Sequence, residues 1–346
     1  MKFVTGLVFL LSLLLFSSVF ISPEVFPYAG LLPFLIPAIL VVNFLLMAIL
    51  LLAWRKLVLL PILTLVLGYK FLLISFQYHQ KNSEAEGLKV FTYNAHGFFY
   101  RDMGTDDNDN VFTWLADHPA DVKVFQEFFQ DNTSAGRNAI KIIGENGDYE
   151  HYYHVVDGNE KRKSFGMIIF SRYPILNEGV VFDNKRSNGT IFADIQVGRD
   201  TIRVYNTHLE SMAIEPESLD NYDKAKLVYR QTLGKLHRGS LARSQQLSIL
   251  YEHLSNSPHP VILMGDFNEI PYSYAYFKVS EKLVNAFEKA GRGFEFTYNR
   301  VLFFLRIDHI FADPSLKPVH FNTHREVDYS DHYPVTATFI WDSFNP

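Results

Sequence analysis

Val261-Ile262-Leu263-Met264-Gly265-Asp266-Phe267-Asn268-Glu269 is the stretch around which the rest of the chain is organised. Four apolar residues lead into a glycine, then into an acid and an amide two positions apart, which in an extended chain puts both polar side chains on one face. A buried strand delivers polar groups to a site in this way. A carboxylate beside a carboxamide suits a reaction that holds a water or a metal next to an anionic oxygen. Gly-Asp-x-Asn also occurs in ordinary turns, so the tetrapeptide alone leaves both readings open.

The 346 residues are 48% hydrophobic and 15% aromatic, and the apolar ones crowd the N-terminus. Phe3 to Ser22, Leu31 to Trp54 and Leu57 to Phe76 each match the roughly 20 residues a helix needs to cross a hydrocarbon core of about 30 Å. Pro33, Pro37 and Pro61 lie near segment starts, where proline is tolerated. Three transmembrane helices are expected, since a buried helical hairpin of a soluble core does not use three such runs. Lys2 precedes the first run and Arg55-Lys56 fill the turn between the second and third, whereas the Ser22 to Tyr28 loop has only Glu24. By the positive-inside rule the N-terminus and the Arg-Lys turn face the cytoplasm, and the chain after the third run is extracytoplasmic. A cleaved signal peptide in place of the first span leaves the same side exposed, but no small-x-small pattern follows it.

Residues 85–346 hold 27 basic against 35 acidic side chains, a balance of −8. This counts against a surface that grips long nucleic acid nonspecifically, without excluding a nuclease. The absence of cysteine rules out disulfides, thiolate metal sites and thiol nucleophiles. The expected organisation is an anchor at 1–78, a short connector at 79–86, and one catalytic domain at 87–346, since no repeat or linker divides the remainder.

In that domain short apolar strands alternate with helical stretches. Strands are expected at Leu88 to Asn94, Asp121 to Phe128, Tyr149 to Val156, Ser164 to Phe170, Ile191 to Val197, Thr201 to Asn206, Arg306 to Phe311 and Tyr333 to Trp341. Gly198-Arg199-Asp200 is a hairpin turn. Helices are expected around Val111 to His118, Leu219 to Leu254 and Tyr272 to Ala290. The long one carries Lys224, Lys226, Arg230, Lys235, Arg238 and Arg243 against two acids within 219–246. That is either a solvated face or a contact for phospholipid headgroups or an anionic substrate. Strands interleaved with helices, some antiparallel, predict an α/β sandwich of two packed sheets.

Polar residues stand where apolar strands stop or start: Asn94, Glu127, Asn206 with His208, Asp266 with Asn268, Asp308, and Asp331 with His332. One buried polar strand end is commonly structural. So many in one domain are costly unless they converge on a shared site.

These residues lie in Thr92-Tyr93-Asn94, Phe125-Gln126-Glu127, Phe165-Gly166 with Ser171-Arg172-Tyr173-Pro174-Ile175, Asn206-Thr207-His208-Leu209, Gly265-Asp266-Phe267-Asn268, Arg306-Ile307-Asp308-His309-Ile310-Phe311 and Ser330-Asp331-His332-Tyr333-Pro334-Val335. In this order, from Val90 to Trp341, the sequence resembles the endonuclease/exonuclease/phosphatase family of metal-dependent phosphoesterases. The resemblance implies a four-layer α/β sandwich, two packed mixed β-sheets flanked by helices. It implies Glu127 as principal Mg²⁺ ligand with Asn94 beside it, Asp331 close to the metal or bound to His208, and Mn²⁺ as a substitute; oxygen ligands and a hydrated ion suit Mg²⁺ better than zinc. Asp266 then orients or deprotonates the attacking water, and Asn268 holds that water or a phosphate oxygen. His332, steadied by Asp308, stabilises phosphoryl charge, while His208 and Asn206 contact substrate. Whether Asp266 or His332 is the base stays open. His96 is expected in a surface or supporting role, His309 in packing, and Arg172 and Tyr173 in shaping a turn.

The first functional expectation is a membrane-anchored, Mg²⁺-dependent phosphoesterase acting on a lipid phosphate or another membrane-borne phosphoester, with the bilayer as partner. The alternative is a surface-exposed nuclease on DNA or RNA, which needs a basic groove or stacking aromatics beside the site. A scaffold with a dead site is disfavoured by the complete polar set.

Overall fold

Residues rich in β-branched and aromatic side chains with near-continuous apolar runs make strands buried on both faces, and two sheets of six arise here in this way. The computed structural model describes residues 1–346 apart from 81, 83–84, 100–107, 185–186, 213–221, 301–303 and 344–346, and apart from the side chains of 99, 108–110 and 222–232. The strands are β1 (Leu88–Asn94), β2 (Val122–Asp131), β3 (Glu150–Gly158), β4 (Lys163–Ser171), β5 (Ile175–Asp183), β6 (Gly189–Val197), β7 (Asp200–His208), β8 (Val261–Asp266), β9 (Val284–Asn285), β10 (Asp308–Ala312), β11 (Lys317–Thr323) and β12 (Val335–Ile340). One sheet runs β11-β12-β1-β2-β4-β3, the other β9-β10-β8-β7-β6-β5. Each has one parallel pair, β1 with β2 and β7 with β8, among antiparallel neighbours.

Between the sheets lies an aliphatic core that includes Val90, Val124, Ile169, Ile191, Val204, Ile262, Met264 and Ile310. The outer face of the first sheet presents Phe91, Tyr93, Phe125, Phe128 and Phe170 to α5 (Asn108–Asp117) and α6 (Ala139–Gly147). On the second sheet, Phe192 and Tyr205 pack on His253, near the end of α7 (Tyr222–Ser255). Two mixed sheets flanked by helices are as expected.

Boundaries differ where tertiary packing overrides local pattern. β5 and β11 were not expected. The helix expected over Tyr272 to Ala290 is broken into α8 (Tyr274–Val279), strand β9 and α9 (Ala286–Ala290). Glu127 lies inside β2 rather than at a strand end, because the register slips between Phe125 and Phe128 and two residues there oppose one on β4.

The chain forms two compact units. One contains Tyr78–Ser211, Gln246–Asn268 and Lys282–Pro346 and holds both sheets; the other contains Met1–Gln77, Met212–Gln245 and Glu269–Glu281. In the latter are α1 (Lys2–Ser18), α2 (Ile36–Leu52), α3 (Leu59–Leu67) and α4 (Tyr69–Ser75). Three full-length spans are not what these helices form. Among the described residues one helical run, Pro27–Leu52, is long and apolar enough to cross a membrane, or two if the third stretch, bent by 52° between Leu67 and Tyr69, counts as one span; the first is a 17-residue helix. Gly68 marks the bend: its N–H bonds back to Thr64, and the Phe16 ring would lie 2.7 Å from any added Cβ. Buried inside this unit, the Asn43 amide donates to Ser12 Oγ at 2.9 Å, a polar tie between two apolar helices. Residues 212–245 and 269–281, assigned by sequence to the catalytic part, belong to this unit: Phe277 packs on Phe20 and Phe71. Arg243, counted by sequence in a basic face, is buried and paired with Glu269 at 2.6 Å.

Candidate active site

The parallel register sets His208 directly opposite Asp266, and the antiparallel one sets Asp308 on its other side. Gly265 makes this possible. Its φ is +142°, and a Cβ there would lie 1.9 Å from the Thr207 carbonyl oxygen, so only glycine lets β8 approach β7 so closely. The site belongs wholly to the unit that holds both sheets.

Asp266 is the hub. Its Oδ2 accepts from Asn94 Nδ2 at 2.9 Å and Asn268 Nδ2 at 3.1 Å, and its Oδ1 accepts from the Asn268 backbone N–H at 2.8 Å. Two imidazoles face the same carboxylate, His208 Nε2 at 3.6 Å and His332 Nε2 at 3.7 Å. His208 is oriented from behind by Nδ1 on the Ser187 carbonyl at 2.9 Å. His332 is oriented by Nδ1 on Asp308 Oδ2 at 2.8 Å. Burial alone would push the His332 value down, but the charges of Asp308 and Asp266 outweigh it and lift it to about 10. At neutral pH His332 is an imidazolium between two carboxylates.

The bulge in β2 buries Gln126 and turns Glu127 outward, with φ at +48°. The Glu127 oxygens lie 3.7 Å from His208 Nε2 and 3.9 Å from His96 Nδ1. Asp331 Oδ1 reaches the same His96 Nδ1 at 3.1 Å. Burial works to raise the Asp331 value, yet the hydrogen bond from His96 and the charges of His332 and His96 bring it down to about 2.

Asn94, Glu127, His208, Asp266, Asn268, Asp308, Asp331 and His332 therefore lie together in space. Asn206 does not line the site. It is wholly buried, its Nδ2 donates to the Phe125 and Ile168 carbonyls, and its Oδ1 accepts from Gln126 Nε2 at 2.7 Å. Its amide ties the two sheets together, and its complete burial keeps it from substrate. His309 packs on Phe267 and Phe311, and Arg172 donates to the Gly147 carbonyl and lies over the Tyr149 ring. Lys224, Lys226 and Arg230 fall outside the described side chains.

Sequence reasoning passed over Ser330, Thr297 and Tyr298. Ser330 Oγ donates to the Asn94 carbonyl and receives the His332 N–H; Thr297 Oγ1 accepts the Asp308 N–H; Tyr298 bridges His332 and meets its ring edge-on at 5.4 Å. The adjacency of Ser330 to Asp331-His332 was the one usable signal.

A divalent cation fits this donor set. The available atoms are carboxylate and carboxamide oxygens and imidazole nitrogens, all suited to hard or borderline ions. Asp266, Asp308 and His332 offer atoms within 4.8 Å of one another, and Asp308 Oδ1 is buried without a hydrogen-bond partner among the described residues. His332, however, is already committed as a charged bridge there. Glu127 and Asp331 are the less encumbered carboxylates, and Asn94, with Oδ1 accepting the His96 N–H, keeps one lone pair.

A sequence profile of the endonuclease/exonuclease/phosphatase family matches residues 91–332. The chain belongs to this family. Its members are phosphoesterases and nucleases, and the chain is a hydrolase acting on phosphoester bonds. Metal dependence is a property of the family, and the acidic cluster can hold a metal. A second profile, a domain of unknown function (DUF8431), matches residues 1–74. No curated protein sequence matches. Among solved structures, an endonuclease/exonuclease/phosphatase from Beutenbergia cavernae DSM 12333 superposes with a TM-score of 0.53 at 19% identity over 75% of this chain and 73% of that one. The 3′ phosphatase NExo from Neisseria, bound to a product DNA hairpin, gives 0.50 at 21% over 73% and 100%. D. rerio TDP2 complexed with a single-strand DNA product gives 0.53 at 17% over 74% and 100%. At such identities the likeness concerns the fold.

Proposed function

We propose that this family member is a membrane-anchored, Mg²⁺-dependent phosphoesterase whose substrate is a lipid phosphate or another membrane-borne phosphoester. The observation that carries the lipid reading is the Pro27–Leu52 helix, of which only 22% of the apolar window is buried within the protein. A soluble core helix hides such a surface; one that leaves it bare is matched to hydrocarbon. Counted with the bent pair Lys56–Leu67 and Tyr69–Ser75 as a second span, Arg55-Lys56 lie in the turn between two spans, and the positive-inside rule puts that turn in the cytoplasm and the catalytic unit outside. Lys235 and Arg238 on α7 suit anionic headgroups. Since site and anchor are one chain, membrane substrates are met at raised effective concentration.

In the proposed reaction Glu127, Asp331 and Asn94 hold the ion. When bound, a divalent cation supplies Lewis-acid neutralisation of charge on a phosphoryl oxygen. Asp266, its carboxylate aimed by Asn94 and Asn268, holds the attacking water and takes its proton. The His332 imidazolium donates from Nε2 to a phosphoryl oxygen, and His208 does the same on the other side. Preorganised donors of this kind stabilise the charge that spreads over the oxygens in the transition state.

One observation favours the nuclease reading. Phe294, Phe296 and Tyr298 alternate with buried Glu295 and Thr297, the first two stacked at 5.2 Å and the third against His332. Such a row can stack bases, and the NExo and TDP2 structures hold DNA products. The test is phosphate and headgroup release by full-length protein in liposomes, against lipid phosphates, phosphodiesters and single-stranded DNA, with Mg²⁺ or EDTA and with Asp266→Ala as control. Lipid turnover that needs Mg²⁺ and Asp266 is expected. DNA cleavage without lipid turnover overturns the proposal.

A further inference from the structure

His96 belongs to no role derived above, yet the chain goes to unusual lengths to place it. Its φ is +43°, followed by Gly97 at +62° and Phe98 at +56°, three successive residues in the left-handed region. Non-glycine residues adopt this conformation only when their surroundings enforce it. Enforcement comes from both sides. The His96 N–H is held by Asn94 Oδ1 at 3.1 Å, and the Phe98 side chain is buried against Phe112 and Phe128. Gly97 has no room for a side chain, since a Cβ would lie 2.9 Å from the Phe165 ring.

The result is that one nitrogen, His96 Nδ1, lies 3.1 Å from Asp331 Oδ1 and 3.9 Å from Glu127 Oε2. The imidazole is itself half exposed. An exposed ion pair contributes little to stability and does not warrant a strained turn. An ion held by the two carboxylates and Asn94, in contrast, has the imidazole nitrogen as its fourth protein donor.

We propose that His96 ligates the metal through Nδ1, making a mixed nitrogen and oxygen site with Glu127 and Asp331. This rests on the reading of those two carboxylates as the seat. Imidazole favours transition ions over Mg²⁺, which takes oxygen ligands. The site therefore binds Mn²⁺ in preference to Mg²⁺, by about tenfold or more over what the carboxylates alone provide.

The experiment uses full-length protein in detergent micelles, loaded with Mn²⁺ and examined by electron spin echo spectroscopy, with Mn²⁺ and Mg²⁺ affinities from calorimetry. His96→Asn is the informative variant, because asparagine tolerates the left-handed backbone and removes only the imidazole. Wild type is expected to show modulation from a directly bound imidazole nitrogen. His96→Asn is expected to lose it, with the preference for Mn²⁺ over Mg²⁺ falling about tenfold, while His208→Asn retains both. Modulation that is absent from wild type, or survives in His96→Asn, overturns the assignment. Glu127→Gln tests the seat separately: Mn²⁺ binding at wild-type affinity in that variant overturns the carboxylate reading itself, whatever His96 does.

Discussion

Nδ1 of His332 lies 2.8 Å from Oδ2 of Asp308, and neither side chain meets solvent appreciably. The pair determines in which pH range His332 is a cation. Its value stands at about 10 against an ordinary 6.5, the nearby carboxylates having overcome the cost of burial. A group raised in the folded state contributes stability that is complete below the unfolded value, near 6.5, and is lost as pH rises through about 10. Asp308→Asn removes the charge and keeps the shape. The His332 titration, followed by NMR in metal-free protein, is expected to move to lower pH, and the alkaline limb of kcat/KM with it. Activity at neutral pH is expected to fall by about 10²- to 10⁴-fold, the range for general acid–base groups and for the carboxylate that orients a catalytic imidazole. An unchanged His332 titration in the variant rules out this coupling.

Asn206 gives a contrasting prediction. Removing its amide takes a buried hydrogen bond from each of the Phe125 and Ile168 carbonyls and one from the Gln126 amide, which keeps Thr92 Oγ1 at 3.2 Å. Asn206→Ala is expected to lower stability to denaturant by about 2–4 kcal/mol, since each buried group that loses its partner costs about 1–3 kcal/mol. KM should change little in the fraction that remains folded. A raised KM with an unaltered denaturation midpoint would show instead that Asn206 meets the substrate.

Gly265→Ala places a methyl group 1.9 Å from a backbone oxygen that has nowhere to go, at a φ of +142°. We expect loss of more than about 3 kcal/mol, beyond an ordinary point mutation, or failure to yield folded protein. The change is measured by thermal melting of the purified variant. A melting temperature within a few degrees of wild type means that β7 and β8 separate more easily than their register implies.

Several of these features were legible in the sequence and several were not. Asp266, Asn268, Asp308 and His332 could be read because burying the polar end of an apolar strand carries a desolvation cost that only a shared site offsets. Glu127 was legible as a residue but not in its place within the strand, since a β-bulge leaves no trace in apolar alternation. Asn206 looks the same as its neighbours in sequence; only the packing of one sheet on the other shows its amide turned inward. Arg243 falls with a basic face in sequence because its partner Glu269 is remote along the chain. Composition located the three apolar stretches, but Gly68 and the end of α1 at Ser18 set helix lengths that hydropathy alone does not resolve.

Lys123 supplies the last prediction. It is fully buried in β2, where its amine donates to the carbonyls of Leu115 and Ala116 in the final turn of α5 and lies 4.4 Å above the Tyr149 ring. A helix C-terminus and an aromatic face both favour a cation. Burial opposes it more strongly, with the Arg172 charge adding to the effect, and the value falls from 10.5 to about 7. Between those two values the unfolded chain binds a proton that the folded chain has released, so this residue makes stability rise with pH across the window. His332 pulls the opposite way over part of the same range, so the slope of wild type alone does not isolate either group. The difference between wild type and Lys123→Met does. That difference is expected to shift in favour of wild type as pH rises from about 7 to about 10.5, measured by urea denaturation at a series of pH values. A difference independent of pH would mean that Lys123 keeps its proton in the interior, held by the two carbonyls and the ring.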